Sequence, residues 1–174
     1  MTIRESTEQD EPALLSLHEA AFGSSEGPEI GRLVTALLHD DTARPLLSLV
    51  AERQGKPVGH AIFSAVSIEG HPGASVRILA PLAVAPGLQR RGTGGALITE
   101  GFARLAAAGV DCVLVLGDPR YYARAGFRAD HAITAPHPLE HPEAWMANEL
   151  ASGVLERLAG RARCAASLEA PEYW

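Results

Sequence analysis

The chain has 174 residues, 47% of them hydrophobic, which suits one globular domain with a full core and leaves no run near the eighteen or so apolar residues of a membrane span. Its net charge of -6 argues against non-specific nucleic-acid binding, which needs a basic footprint to neutralise phosphates. Cys112 and Cys164 are too few and too far apart for a disulfide framework or a zinc site, and Met1-Thr2-Ile3-Arg4-Glu5 lacks a basic start before an apolar core, so a cytoplasmic protein with reduced thiols is expected.

Residues 2–5 suit a short first strand. Thr7 with Asp10 approximates a capping box ahead of a helix carrying Leu14, Leu15, Leu17, His18, Ala21 and Phe22. Gly23-Ser24-Ser25-Glu26-Gly27-Pro28 breaks that helix, and Ile30, Leu33, Val34, Leu37 and Leu38 recur at the spacing of a second one. Residues 46–52, 57–68 and 74–84 are β-branched and aliphatic runs separated by turns, which predicts a meander of three antiparallel strands. Residues 94–108 place Leu97, Gly101 and Leu105 on one line of a helix that Gly109 caps. The apolar run 111–117 reads as a strand buried on both faces, so strand 74–84, the helix and this strand form a right-handed crossover. Residues 119–125 suit a short helix, and 127–134 and 144–150 suit strands, followed by a weakly specified tail. With no repeat or linker, residues 1–174 read as a single domain.

Gln89, Arg90, Arg91, Gly92, Thr93, Gly94 and Gly95 fall where a strand ends and the strongest helix begins. Free backbone N–H groups and the positive end of the helix dipole converge there, which suits a diphosphate. Glycine lets phosphates approach the backbone, and the two arginines add charge. A tight strand-to-helix connection without a ligand is the competing reading. The run lacks the Lys-Ser/Thr ending of a P-loop and the G-x-G-x-x-G of a dinucleotide-binding unit.

Gln-Arg-Arg-Gly-Thr-Gly resembles the acetyl-CoA loop of the GNAT acetyltransferases, preceded at the usual distance by Leu82, Ala83 and Val84. Tyr122-Ala123-Arg124-Ala125-Gly126-Phe127 resembles that superfamily's Tyr-x-x-x-Gly-Phe element. The resemblance spans residues 2–127, and residues 116–122 with the ending Glu172-Tyr173-Trp174 are similar to a bacterial branch of predicted acetyltransferases. It implies an α/β GNAT fold, a mixed sheet of about seven strands with helices on both faces. It further implies acetyl-CoA as co-substrate, with the strands around Leu82, Ala83, Val84 and around Gly117 splaying apart to free backbone groups for the pantetheine arm. Pro81, with no N–H, and Pro86 supply a local reason for interrupted pairing there, unless Pro81 simply marks an edge strand.

The implied reaction is direct attack of a primary amine on the thioester. A backbone N–H near residues 82–84 would meet the oxyanion, and Tyr122 would act as general acid toward the departing thiolate. Tyr122 could instead be a half-buried packing residue. Tyr121, about 100° away around a helix, reads as packing. A base is not evident: Glu26 and Glu29 are weak candidates for the acceptor site, His60 sits in a strand, and strand 74–84 holds no glutamate. The motif His137-Pro138-Leu139-Glu140-His141 matches a zinc-peptidase pattern, but Pro136, Pro138 and Pro142 oppose the helix it requires, so no metal is expected. The acceptor is expected to be a small-molecule amine rather than a protein, with no nucleic-acid or membrane partner and a homodimer left open. A non-catalytic acyl-CoA-binding regulatory module, transfer of a longer acyl group, and a structural protein on the same fold are the alternatives.

Overall fold

Three long antiparallel strands form the backbone of the fold, described here from a computed structural model covering residues 1–174. They are β2 (Leu47–Arg53), β3 (Lys56–Ile68) and β4 (His71–Val84), with β1 (Thr2–Glu5) on the outer side of β2. Helix α2 (Thr93–Ala107) then carries the chain to β5 (Cys112–Leu116), parallel to β4. After the single turn α3 (Pro119–Tyr122) come β6 (Ala132–Thr134), β7 (Trp145–Glu149) and β8 (Ala159–Arg163). The path through the sheet is β1-β2-β3-β4-β5-β7, and β8 pairs with both β3 and β6, so the sheet has eight strands where about seven were expected. β8 finds a place because β3 outlasts β2: β2 begins opposite Phe63, and β8 pairs with Ser67 and Ile68 beyond it.

Alternation along the strands divides the core into two layers. Cys112 and Leu114 of β5 join Ile62, Ile78 and the residues Leu33, Val34 and Leu37 of helix α1 (Glu11–Leu38). Val113 and Val115 join Phe63, Leu79 and the residues Leu97, Ile98 and Leu105 of α2. The helices therefore cover opposite faces of the sheet.

The start of α1 is fixed by its sequence. Thr7 and Asp10 form the expected capping box, and Arg4 on β1 grips the same Asp10 carboxylate with two bonds of 2.8 Å. The expected break over residues 23–28 narrows to Gly23 alone, whose φ of 78° and ψ of -177° leave the helical region. Ser24 onward is helical, with Pro28 inside the second half. The two halves press together at Gly27, where a Cβ would lie 2.6 Å from the Glu19 carbonyl oxygen.

The strand expected at residues 127–134 is largely absent. A lone bridge joins Arg128 to Ala147, and β6 covers only the last three residues. A turn closed by the His131 N–H on the Ala129 carbonyl, with the Ile133 N–H donating to the His131 ring, replaces ladder bonds there.

Candidate active site

The site begins where β4 loses its neighbour. β4 and β5 pair only at Val76, Arg77 and Ile78, so the rest of β4 has no strand on that side. Opposite β3, the step from Ala61 to Phe63 matches the longer step from Leu82 to Leu79, a bulge that contains Pro81. β4 is thus central in the sheet and Pro81 is no edge-strand proline. Of the three residues expected at the cofactor, Leu82 and Val84 line the cleft. Ala83 points to the other face, 2% exposed and opposite His60.

The loop after β4 is pinned back to it, because the Gln89 side-chain amide donates to the Val84 carbonyl at 3.2 Å. Arg90 holds a φ of 60° and Gly92 one of 86°, so the turn uses left-handed backbone at an arginine as well as at a glycine. Such a strained non-glycine residue beside a ligand cleft is a common functional arrangement. α2 follows with no side-chain cap, leaving its first N–H groups and its dipole for an anion. Gln89, Arg90, Gly92, Gly94 and Gly95 line the cleft. Arg91 is exposed outside it, and Thr93 is buried with its methyl packed where Gly59 leaves room. That close approach seats the α2 N-terminus on β3.

The opposite lip is α3. Asp118 caps it, accepting the Arg120 N–H at 2.9 Å. The cleft between the lips has a volume of about 890 Å³. Tyr122 lines it, its ring lying where a Cβ on Gly117 would sit, so Gly117 supports the tyrosine from behind and does not itself line the cleft. Burial, and to a lesser degree Tyr121, raises the Tyr122 pKa well above the ordinary phenol value. The proton therefore stays on the oxygen throughout the neutral range.

Tyr121 is not the packing residue expected: it is 40% exposed and lines the cleft beside Tyr122. The two rings meet edge-on at 4.9 Å, and the cleft takes in both. Arg120 and Arg124 also line it and were missed. Their spacing of four, straddling Tyr122 on a short helix, was the available signal. Asp118 is the single carboxylate on the wall, and Glu26 and Glu29 lie outside it on the second half of α1.

On the far face of β4, His60 is fully buried and bonded to His18 at 2.8 Å and to Ser48 at 2.7 Å, and Ser48 meets Ser6 at 2.6 Å. Burial lowers the His18 pKa to about 4 and that of His60 to about 3. Residues 137–141 form no helix, and His137 bonds the Glu169 carbonyl at 2.7 Å.

A glycine-rich helix start facing a half-buried tyrosine across two parallel strands that pair at only three residues is an arrangement suited to acyl transfer. Residues 45–129 match the acetyltransferase (GNAT) domain model. The N-acetyltransferase YjhQ of Escherichia coli K12 is 42% identical over 151 residues, covering 83% of this chain and 81% of that protein. The N-acetyltransferase YhbS of the same organism is 31% identical over 163 residues, covering 92% and 93%. The chain belongs to the GNAT acetyltransferase family. The structure of E. coli YhbS in complex with CoA superposes with a TM-score of 0.88 at 28% identity, over 98% of this chain and 92% of that one. A GNAT acetyltransferase of Brucella melitensis in complex with acetyl-CoA gives 0.78 at 31% identity, over 96% and 97%.

Proposed function

We propose that this protein transfers the acetyl group of acetyl-CoA to the primary amine of a small-molecule acceptor, and that residues 1–174 act as one domain in doing so. One observation carries the reading: a single cleft joins the glycine-rich start of α2 to Tyr122 across the unpaired half of β4. CoA and acetyl-CoA bound to the YhbS and Brucella proteins support acetyl-CoA as the ligand of this cleft. Gly92, Gly94, Gly95 and Arg90 would hold the diphosphate, with Arg120 and Arg124 on the facing lip adding positive charge. The pantetheine arm would run along Leu82 and Val84, whose β5-facing backbone groups have no strand partner.

In the reaction, the amine lone pair forms the C–N bond, a backbone N–H of the β4 stretch stabilises the oxyanion, and the C–S bond breaks. Tyr122 donates to the departing sulfur. Its raised pKa disfavours early transfer, so the phenol first stabilises the departing sulfur by hydrogen bonding and yields its proton only as the C–S bond breaks, to be replaced by the proton that the new amide nitrogen loses. No unpaired carboxylate lines the cleft, so the acceptor ammonium loses its proton through water. No helix is long and apolar enough to cross a membrane. The free thiols of Cys112 and Cys164 fit a reducing, cytoplasmic setting.

The test is a screen of amines for CoA thiol release from acetyl-CoA. Tyr122→Phe should lower kcat by about a hundredfold with acetyl-CoA binding retained. Full activity of that variant would remove Tyr122 from the chemistry.

A further inference from the structure

Gly94 lies in the first turn of α2 without a positive φ, so nothing in its own backbone asks for glycine, and alanine is the better helix former. What excludes a Cβ is the Tyr121 hydroxyl, which rests on the Gly94 α-carbon. The next side chain, Val84, would be 3.6 Å away and leaves ordinary room. Tyr121 therefore crosses from the α3 lip to the α2 lip and touches the turn where the N–H groups are free. Its hydroxyl makes no hydrogen bond within the protein.

The ring is held in that position by a ladder of aromatic contacts. Tyr121 meets Tyr122 edge-on at 4.9 Å, Tyr122 meets Phe127 edge-on at 5.6 Å, and Phe127 meets Phe102 of α2 at 5.5 Å. A phenol so fixed, unpaired and beside an uncapped helix start presents a preorganised donor to an anion.

We propose that Tyr121 is a cofactor-binding residue, its O–H donating to the diphosphate at the α2 N-terminus and tying α3 to α2 across the cleft. The inference rests on the placement of acetyl-CoA given above. It assigns the neighbouring tyrosines separate tasks: Tyr122 serves the thioester and Tyr121 the diphosphate. It also explains Gly94, whose missing side chain leaves space for the hydroxyl as well as for the phosphates.

The test is calorimetric titration with CoA of the wild type, Tyr121→Phe, Gly94→Ala, the double variant, and Arg90→Ala as a control for the site. Tyr121→Phe keeps the ring ladder and removes only the donor, and should weaken CoA about tenfold. Gly94→Ala should weaken it at least as much, because the new methyl displaces the hydroxyl. The double variant should bind no more weakly than Gly94→Ala alone, since both changes remove one contact. Wild-type affinity in Tyr121→Phe, or two losses that multiply in the double variant, would overturn the role of Tyr121 while a weakened Arg90→Ala leaves the cofactor placement standing. Unchanged affinity in Arg90→Ala together with Tyr121→Phe would overturn the placement itself.

Discussion

Gly101 on α2 illustrates how a single hydrogen-for-methyl difference sets the distance between layers. A Cβ there would run into the ring of Phe63, which is fully buried in β3, so the helix approaches the sheet only because the side chain is missing. Gly101→Ala should destabilise the protein by about 1–3 kcal/mol despite the better helix propensity of alanine. The fall would appear as a lower urea midpoint with unchanged m-value, and an equal or higher midpoint would show that Phe63 repacks freely. The buried pair His18 and His60 gives a second residue-scale prediction. Both folded pKa values are depressed, to about 4 and about 3, so below the ordinary value of 6.5 the unfolded chain binds more protons than the folded one. Stability should be full above pH 6.5 and decline as pH falls toward 4, by up to about 1.4 kcal/mol per pH unit for each imidazole. His131, also depressed by burial, acts with the same sign, so urea midpoints at pH 7.5 and 5.0 should be compared with those of His60→Gln, whose slope should be shallower. Equal slopes would remove His60 from the effect.

Among the elements, those whose signal is local were legible. The 28 residues of α1 carry an apolar stripe with the Thr7 and Asp10 capping box just ahead of them, and α2 carries its stripe with Gly109, at a φ of 80°, just beyond its end. The parallel placement of β5 followed from its unbroken apolar run, and the bulge from Pro81. The break in α1 could not be placed within residues 23–28, because Gly23, Gly27 and Pro28 all interrupt a helix and only packing against Glu19 selects the first. Gly23 holds a combination of φ and ψ open essentially to glycine alone. Gly23→Ala should therefore cost about 1–3 kcal/mol although no neighbour lies within 4 Å, a loss readable by chemical denaturation. Unaltered stability would mean that the two halves of α1 join in another conformation. Residues 127–134 misled for the opposite reason, since their strand-like composition is overridden by the His131 turn.

For the whole molecule, the lining of the candidate cleft was legible as far as motifs reach, from Gln89, Arg90, Gly92, Gly94 and Gly95 to Tyr122. Tyr121 enters the cleft only when α3 is brought opposite α2, a relation with no sequence period, and Arg120 and Arg124 left only their spacing of four as a sign. The C-terminal segment was opaque for the same reason. Val154, Leu155, Leu158, Ala162 and Leu168 join the core beneath α1 through contacts of long sequence separation. Trp174 ends the chain against Trp145 at 5.5 Å and donates its indole N–H to the Leu168 carbonyl at 2.7 Å. Trp174→Ala should lower stability by about 2–3 kcal/mol, seen as a drop in Tm, and an unchanged Tm would show that the tail does not brace the core. Whether the loop from Gln89 to Gly95 holds acetyl-CoA can be decided by calorimetric titration of acetyl-CoA into the wild type, Arg90→Ala and Arg91→Ala. Binding should be micromolar in the wild type, fall about tenfold in Arg90→Ala, whose side chain lines the cleft, and change little in Arg91→Ala, whose side chain does not. No binding by the wild type, or a loss confined to Arg91→Ala, would remove acetyl-CoA from this cleft.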